Sequence, residues 1–220
     1  RAELLNLLRT APMESAVRVK NSNTIISLPM PNGTMARFRF VESPVMAPEL
    51  AAQYPEIKTY LGQGIDDQNA VIRFDFTPMG FHAMVLSNNG SVFIDPYSMN
   101  ETEYYMSYYR DDFRPAIEKN FVCLTESDSN PPVYNNIVSR TGEQLRTYRL
   151  AVACTGEFTT LLGGQANAFN NVTTTVNRIT GVYETDMAVR LGIIANEMSI
   201  IYTNGGTDPY TNNNGSAMLD

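Results

Sequence analysis

Few side chains in this sequence can act as nucleophiles, metal ligands or proton carriers near neutral pH. One histidine, His82, and two cysteines, Cys123 and Cys154, are its whole stock of imidazole and thiol. A lone histidine excludes a metal site built from several imidazoles of this chain. Two cysteines exclude a four-thiolate zinc site and a dense disulfide framework. His82 lies in Gly80-Phe81-His82-Ala83-Met84-Val85-Leu86. As a strand, this run places His82, Met84 and Leu86 on one face and Phe81, Ala83 and Val85 on the other. No Gly-x-Ser-x-Gly elbow accompanies it, so a serine-hydrolase reading has no nucleophile. An imidazole packed on a sheet, without a catalytic role, is the expectation.

The acidic pairs offer little more. Asp66-Asp67 closes the turn Gly62-Gln63-Gly64-Ile65-Asp66-Asp67, and Asp111-Asp112 follows a tyrosine-rich run. Adjacent acids at loop entries are turn residues. Neither pair has the spaced ligands and distal Glu of a calcium loop. Trp is absent, which weakens a sugar-binding cleft around paired carboxylates. Tyr104-Tyr105-Met106-Ser107-Tyr108-Tyr109 reads as a sheet edge, or alternatively as a docking surface for another domain. Three readings stand for the cysteines. They are a Cys123–Cys154 disulfide, plain buried thiols, or a Cys123 thiolate that reaches a metal supplied by a neighbouring domain.

The 220 residues carry a formal net charge of −7, with 43% apolar residues. The chain is long enough for a real core, and an acidic balance argues against nucleic-acid binding. No run of about 18 apolar residues predicts a membrane span. Arg1 to Thr10 places Leu4, Leu5, Leu7 and Leu8 on one helical side and lacks the order of a signal peptide.

The elements that must hold these residues follow from periodicity. Period-two runs predict strands at Ala16–Lys20, Thr24–Leu28, Met35–Val41, Glu56–Leu61, Ala70–Thr77, Gly80–Leu86, Ser91–Ile94 and Tyr104–Tyr109. Asn32-Gly33 and Asn89-Gly90 supply turns. A short helix is expected at Pro48–Gln53, stopped by Tyr54-Pro55. Short strands with regular turns predict an antiparallel sandwich or partial barrel. Residues 111 to 146 turn polar, around Ser127-Asp128-Ser129-Asn130-Pro131-Pro132, and read as a linker. Beyond it, Leu145 to Cys154 reads as a strand covered on both faces. In the stretch Gln165 to Glu184, Phe169, Val172, Val176, Ile179 and Tyr183 fall at steps of 3, 4, 3 and 4, one stripe of a helix. Met187 to Ala195 reads as another strand, which makes a right-handed βαβ unit with parallel strands. A helix is expected to start at Ser216, which suggests a truncated or processed chain.

Two long segments carry a resemblance. They are Leu145-Arg146-Thr147-Tyr148-Arg149-Leu150-Ala151-Val152-Ala153-Cys154-Thr155-Gly156-Glu157-Phe158 and Val176-Asn177-Arg178-Ile179-Thr180-Gly181-Val182-Tyr183-Glu184-Thr185-Asp186-Met187-Ala188-Val189-Arg190-Leu191. With Tyr202-Thr203 and the stretch Thr207 to Gly215, they resemble the start of the catalytic domain of bacterial, secreted, reprolysin-like zinc metalloproteases of the metzincin clan. Asn23-Thr24-Ile25-Ile26-Ser27-Leu28-Pro29 and Tyr60-Leu61-Gly62-Gln63-Gly64-Ile65-Asp66 resemble the propeptides of the same proteins.

The resemblance implies an α+β chain of two units. Residues 1–140 would be an antiparallel β propeptide, with its linker from about 111. Residues 141–220 would be the βαβ portion of a metalloprotease domain. It implies a secreted zymogen whose signal peptide has been removed and whose prodomain maintains latency and assists folding. The family's zinc ligands lie in an HExxHxxGxxH helix, which is absent from these residues, so no catalytic or metal residue carries over and the chain alone is expected to be inactive. The partners implied are the remainder of its own catalytic domain and protein or peptide substrates. Cys123 becomes a candidate zinc-blocking thiol, although its flanks do not match the best-known cysteine-switch motifs. Arg140-Thr141 and Arg146-Thr147 become candidate cleavage points. In the wider reprolysin group an acidic residue on the first strand helps bind calcium; Arg149 stands at about that place, which argues against calcium there. The rival from another class is a secreted binding or adhesion module without chemistry.

Overall fold

The structure is a computed structural model, and it describes residues 2–99, 101–114 and 144–210. Helix α1 (Ala2–Arg9) leads into seven strands: β1 (Ile25–Pro29), β2 (Met35–Glu42), β3 (Lys58–Gly64), β4 (Val71–Thr77), β5 (Gly80–Ser87), β6 (Gly90–Pro96) and β7 (Tyr105–Tyr109). Helix α2 (Pro48–Gln53) interrupts them after β2. All seven pair antiparallel in chain order and form a half-barrel. Two-residue loops close β4 to β5 and β5 to β6, with Thr77 opposite Gly80 and Ser87 opposite Gly90. Gly90 has φ +101°, a left-handed conformation that glycine adopts without a Cβ penalty.

The second unit contains β8 (Arg146–Leu150), the short α3 (Gly156–Leu161), the long α4 (Gln165–Met187) and β9 (Val189–Ile193). Strands β8 and β9 are parallel, as a βαβ crossover requires. Helix α4 ends where Ala188 takes the left-handed conformation at φ 52°.

The molecule is layered. One face of the large sheet buries Ile26, Leu28, Phe38, Phe40, Tyr60, Ile72, Phe74, Phe81 and Val85 under the leucines of α1. Tyr60 stacks on Phe74 at 4.8 Å between ring centroids. Helix α4 packs between β4 and β5 on one side and β9 on the other. A second core joins Val45, Met46, Leu50 and Ile57 to Phe169, Val172, Val176, Ile193 and Ile201.

Three expectations need correction. Ala16–Lys20 is not a strand: Ala16 and Val17 donate back to the Met13 carbonyl, and Val19–Asn21 forms a 3-10 turn. Val17 and Val19 are only half-buried, so no apolar face pulls the segment into the sheet. The strand expected over Leu145–Cys154 stops at Leu150 and lies exposed through Arg149, because it is the outer strand of a two-stranded sheet. The α4 stripe holds for Phe169, Val172 and Val176, but Ile179 and Tyr183 are 37% and 38% exposed. The helix buries its polar side instead, because a second sheet lies against it.

Candidate functional site

The polar chemistry of the molecule gathers where α4 crosses the large sheet. On β4 the apolar residues Ile72, Phe74 and Phe76 enter the core, so the intervening Arg73, Asp75 and Thr77 must point to the opposite face. That face is covered, and Arg73, Asp75 and Thr77 are all buried. Buried charge is tolerated only when it is paired and hydrogen-bonded. Helix α4 supplies the partners.

Thr174 donates its hydroxyl to Asp75 Oδ1 at 2.8 Å, and Asn177 Nδ2 lies 3.5 Å from Asp75 Oδ2. Arg73 donates to Glu184 near the end of the helix and reaches Ser43 Oγ at 2.9 Å. Ser43 in turn donates to Glu14 Oε2 at 2.6 Å. Arg190 of β9 closes the network, with Nη2 2.8 Å from Glu14 Oε1 and Nε on Glu184. Burial opposes the charge on Glu14, but hydrogen bonds from Arg190 and Ser43 outweigh it and hold the carboxyl below its ordinary value. Burial pushes the Arg73 guanidinium down, against the pull of Glu184. A second tie joins Arg178 to Asp95 of β6, with the guanidinium 4.8 Å from the centre of the Phe93 ring. Tyr108 donates to the same Asp95 at 2.8 Å; burial, then this bond, pushes its hydroxyl up to about 12.

His82 sits beside this contact. It is opposite Asp75 in register, with Nδ1 3.3 Å from Asp75 Oδ1 but off hydrogen-bond geometry. It faces a recess of about 340 Å³ with Asp95, Ser98, Thr174 and Arg178. Among the described residues no hydroxyl or thiol hydrogen-bonds the imidazole, so the His82–Asp75 pair has no nucleophile to activate. A wider groove of about 940 Å³ runs between Val45–Glu49, Tyr148 and β9, along a mainly apolar wall with no convergent acid–base pair.

The remaining candidates are dispersed. Asp66 accepts from Arg37 at 2.7 Å, and these bonds hold its carboxyl below the usual range; Asp67 accepts from the Asn69 backbone at 2.9 Å. Asp111 and Asp112 form a 3-10 turn after β7. Tyr104, Tyr105 and Met106 are exposed at the sheet edge. Cys154 is buried and has no disulfide partner among the described residues; burial and the nearby Glu197 raise its thiol. Arg146 and Thr147 are paired with Val189 and Arg190 in β8, and Arg149 is exposed on the same strand. Cys123, Arg140, Thr141 and Ser216 lie outside the described residues. Among the described residues no three His, Cys, Asp or Glu side chains could hold a metal. No helix among them is long and apolar enough to cross a membrane.

Two features escaped sequence reasoning. Glu197 is fully buried, accepting the Val152 backbone N–H at 2.8 Å, and burial raises its carboxyl. The segment at Met46 bridges β9 in parallel: Ala47 N–H donates to the Ile193 carbonyl at 2.9 Å, and Ile193 N–H donates to the Val45 carbonyl at 2.7 Å. Nothing in a three-residue run next to a proline announces a strand.

With this geometry in place, comparison gives the second unit one family match. Residues 144–219 match the family described as metallo-peptidase family M12B, reprolysin-like. No curated protein and no solved structure matches the chain. The matched family is generally zinc-dependent. The residues present here do not fit a zinc site, since these 220 residues contain one histidine and His82 lies on the large sheet away from β8 and β9.

Proposed function

We propose that the chain is the propeptide and the first part of the catalytic domain of a secreted, bacterial, zinc-dependent endopeptidase zymogen that acts on protein substrates. The observation that carries this reading is the family match over 144–219, on a segment that folds as strand, helix and parallel strand. Residues 1–140 are the prodomain and 141–220 belong to the enzyme. The zinc ligands and the general-base glutamate come from polypeptide outside these 220 residues, and the prodomain maintains latency. Arg140-Thr141 is the preferred cleavage point. Arg146-Thr147 is held in the β8–β9 ladder, and a protease needs its substrate strand unpaired.

Three measurements test the reading. The coding sequence that continues this one should contain HExxHxxGxxH within about 100 residues, a span set by ordinary domain size; an open frame without it overturns the proposal. Zinc titration of the 220-residue chain should show no tight stoichiometric site. In the full precursor, Cys123→Ala should release activity if that thiol blocks the zinc, whereas unchanged latency removes Cys123 from the mechanism. The rival reading, a secreted binding module, draws on exposed Tyr97, Met99, Tyr104, Met106 and Phe113 around β7. It gains only if the zinc motif is missing.

A further inference from the structure

We infer that the two units remain together as a tight noncovalent pair after the chain between them is cut, so that cutting alone does not release the N-terminal unit. Three independent sets of contacts support this. The first is strand addition. Val45–Ala47 extends the β8–β9 sheet on the β9 side through two backbone hydrogen bonds, so β9 is an inner strand only while the N-terminal unit is present. Separation leaves those backbone groups unpaired at a new sheet edge.

The second is a shared core. Val45, Met46, Leu50 and Ile57 come from one unit, while Phe169, Val172, Val176, Ile193 and Ile201 come from the other, all in one buried cluster. An interface that resembles a single core cut in two is the obligate kind. The third is charge. Arg73 is about 1% exposed and Asp75 is buried, and their partners Glu184, Thr174 and Asn177 all lie on α4. Arg178–Asp95 and Arg190–Glu14 add two more ties across the same boundary. Asp75 loses its hydroxyl and amide donors on separation, and Arg73 loses its carboxylate.

Close approach fixes the fit. A Cβ on Gly181 would stand 2.8 Å from Arg73 Cγ and 3.2 Å from Met84 Cε, so α4 is seated directly on the sheet rather than bridged to it. The partner for which the covered face of α4 is shaped is therefore the chain's own N-terminal unit. The association stands on these contacts alone. Its consequence for regulation rests on the zymogen reading: activation then has a second step after linker cleavage, in which the bound prodomain dissociates or is degraded.

The test uses the full 220-residue chain with a recognition sequence for a site-specific protease inserted between residues 115 and 143. After complete cutting, verified on a denaturing gel, the two fragments are run on native size-exclusion at micromolar concentration. Co-elution at the volume of the uncut chain is expected; two separate peaks overturn the inference. Arg178→Asp in the same background should weaken the cut pair by about tenfold or more. Asp95→Arg combined with Arg178→Asp should restore it. Loss without restoration removes this ion pair from the interface. The milder Arg178→Gln gives the same ordering if the reversal does not fold. None of these readouts uses protease activity, so a precursor that is active before cutting would refute latency while leaving the association intact.

Discussion

Glu197 shows how much a single buried carboxyl can report. It is 0% exposed, and one oxygen accepts the Val152 N–H. The other, Oε2, has no partner among the described residues. Burial raises its pKa, so folding penalises the charged form relative to the unfolded chain. The sign follows: the cost is present when the pH is above the raised folded value and fades as pH falls through it. Glu197→Gln keeps the acceptor for Val152 and removes the charge. It should raise the unfolding free energy from urea denaturation at pH 8 by roughly 1–3 kcal/mol, and gain nothing at pH 4. Equal gains at both pH values would show that charge is not the cause. His82, the most conspicuous candidate in the sequence, is the contrasting case. Its place on the strand and its face were legible from the alternation around it. That the face meets Asp75 under a helix was not, because the partner lies across a strand pair and a hairpin.

Helix α4 is the element on which both units converge. Its length and apolar stripe were readable from spacing, and its start at Gln165 falls as expected. Nothing in the spacing marks its polar side for burial, since Thr and Asn at helical positions ordinarily face water. It is buried because Arg73 and Asp75 on β4 present matching donors and acceptors. Gly181 belongs to this fit. Gly181→Ala in an exposed helix would stabilise by about 1 kcal/mol. Here the added methyl meets Arg73, whose ion pair prevents it from yielding, and overpacking should make the change destabilising by about 1–3 kcal/mol. A rise in the denaturation midpoint would mean that the helix sits further from the sheet.

The parallel β-bridge at Met46 supplies the companion test. Ala47 has φ −55°, which proline accepts, so Ala47→Pro removes mainly the N–H that donates to Ile193. A loss of about 1 kcal/mol is expected, with hydrogen exchange accelerated at Ile193. No change in either would show that the bridge contributes nothing.

The whole molecule is a stack in which charge ties the layers. Glu14 joins an N-terminal loop to Arg190 of β9, although 176 positions separate them. Its folded pKa is held below the ordinary 4.5, after the hydrogen bonds from Arg190 and Ser43 overcome burial. A depressed carboxyl contributes stability that is complete above the ordinary value and is lost as pH falls through the folded one. The chain should therefore lose stability below about pH 4.5, and Glu14→Gln should flatten the stability–pH profile in that window while lowering stability at pH 7. An unaltered acid limb would place the acid sensitivity elsewhere. An N-terminal unit bound this way behaves as part of the fold, whatever becomes of the chain between the units.

Local pattern was enough for the seven paired strands, the hairpin turns, the helix at Pro48–Gln53 and the βαβ order, because period, turn chemistry and proline act over a few residues. It was enough, too, to show that the ligands for a multi-histidine metal site are absent from these residues. It misplaced Ala16–Lys20, where no apolar face draws the segment into the sheet, and over-extended the strand before Cys154, where Val152 N–H turns to the Glu197 carboxylate instead of a strand partner. Folding decided which faces were buried. The half-buried look of Val71–Thr77 concealed a second covered face, and Met46 formed a parallel β-bridge because β9 offered an open edge. Such outcomes depend on what arrives from more than a hundred positions away, and no local period encodes that.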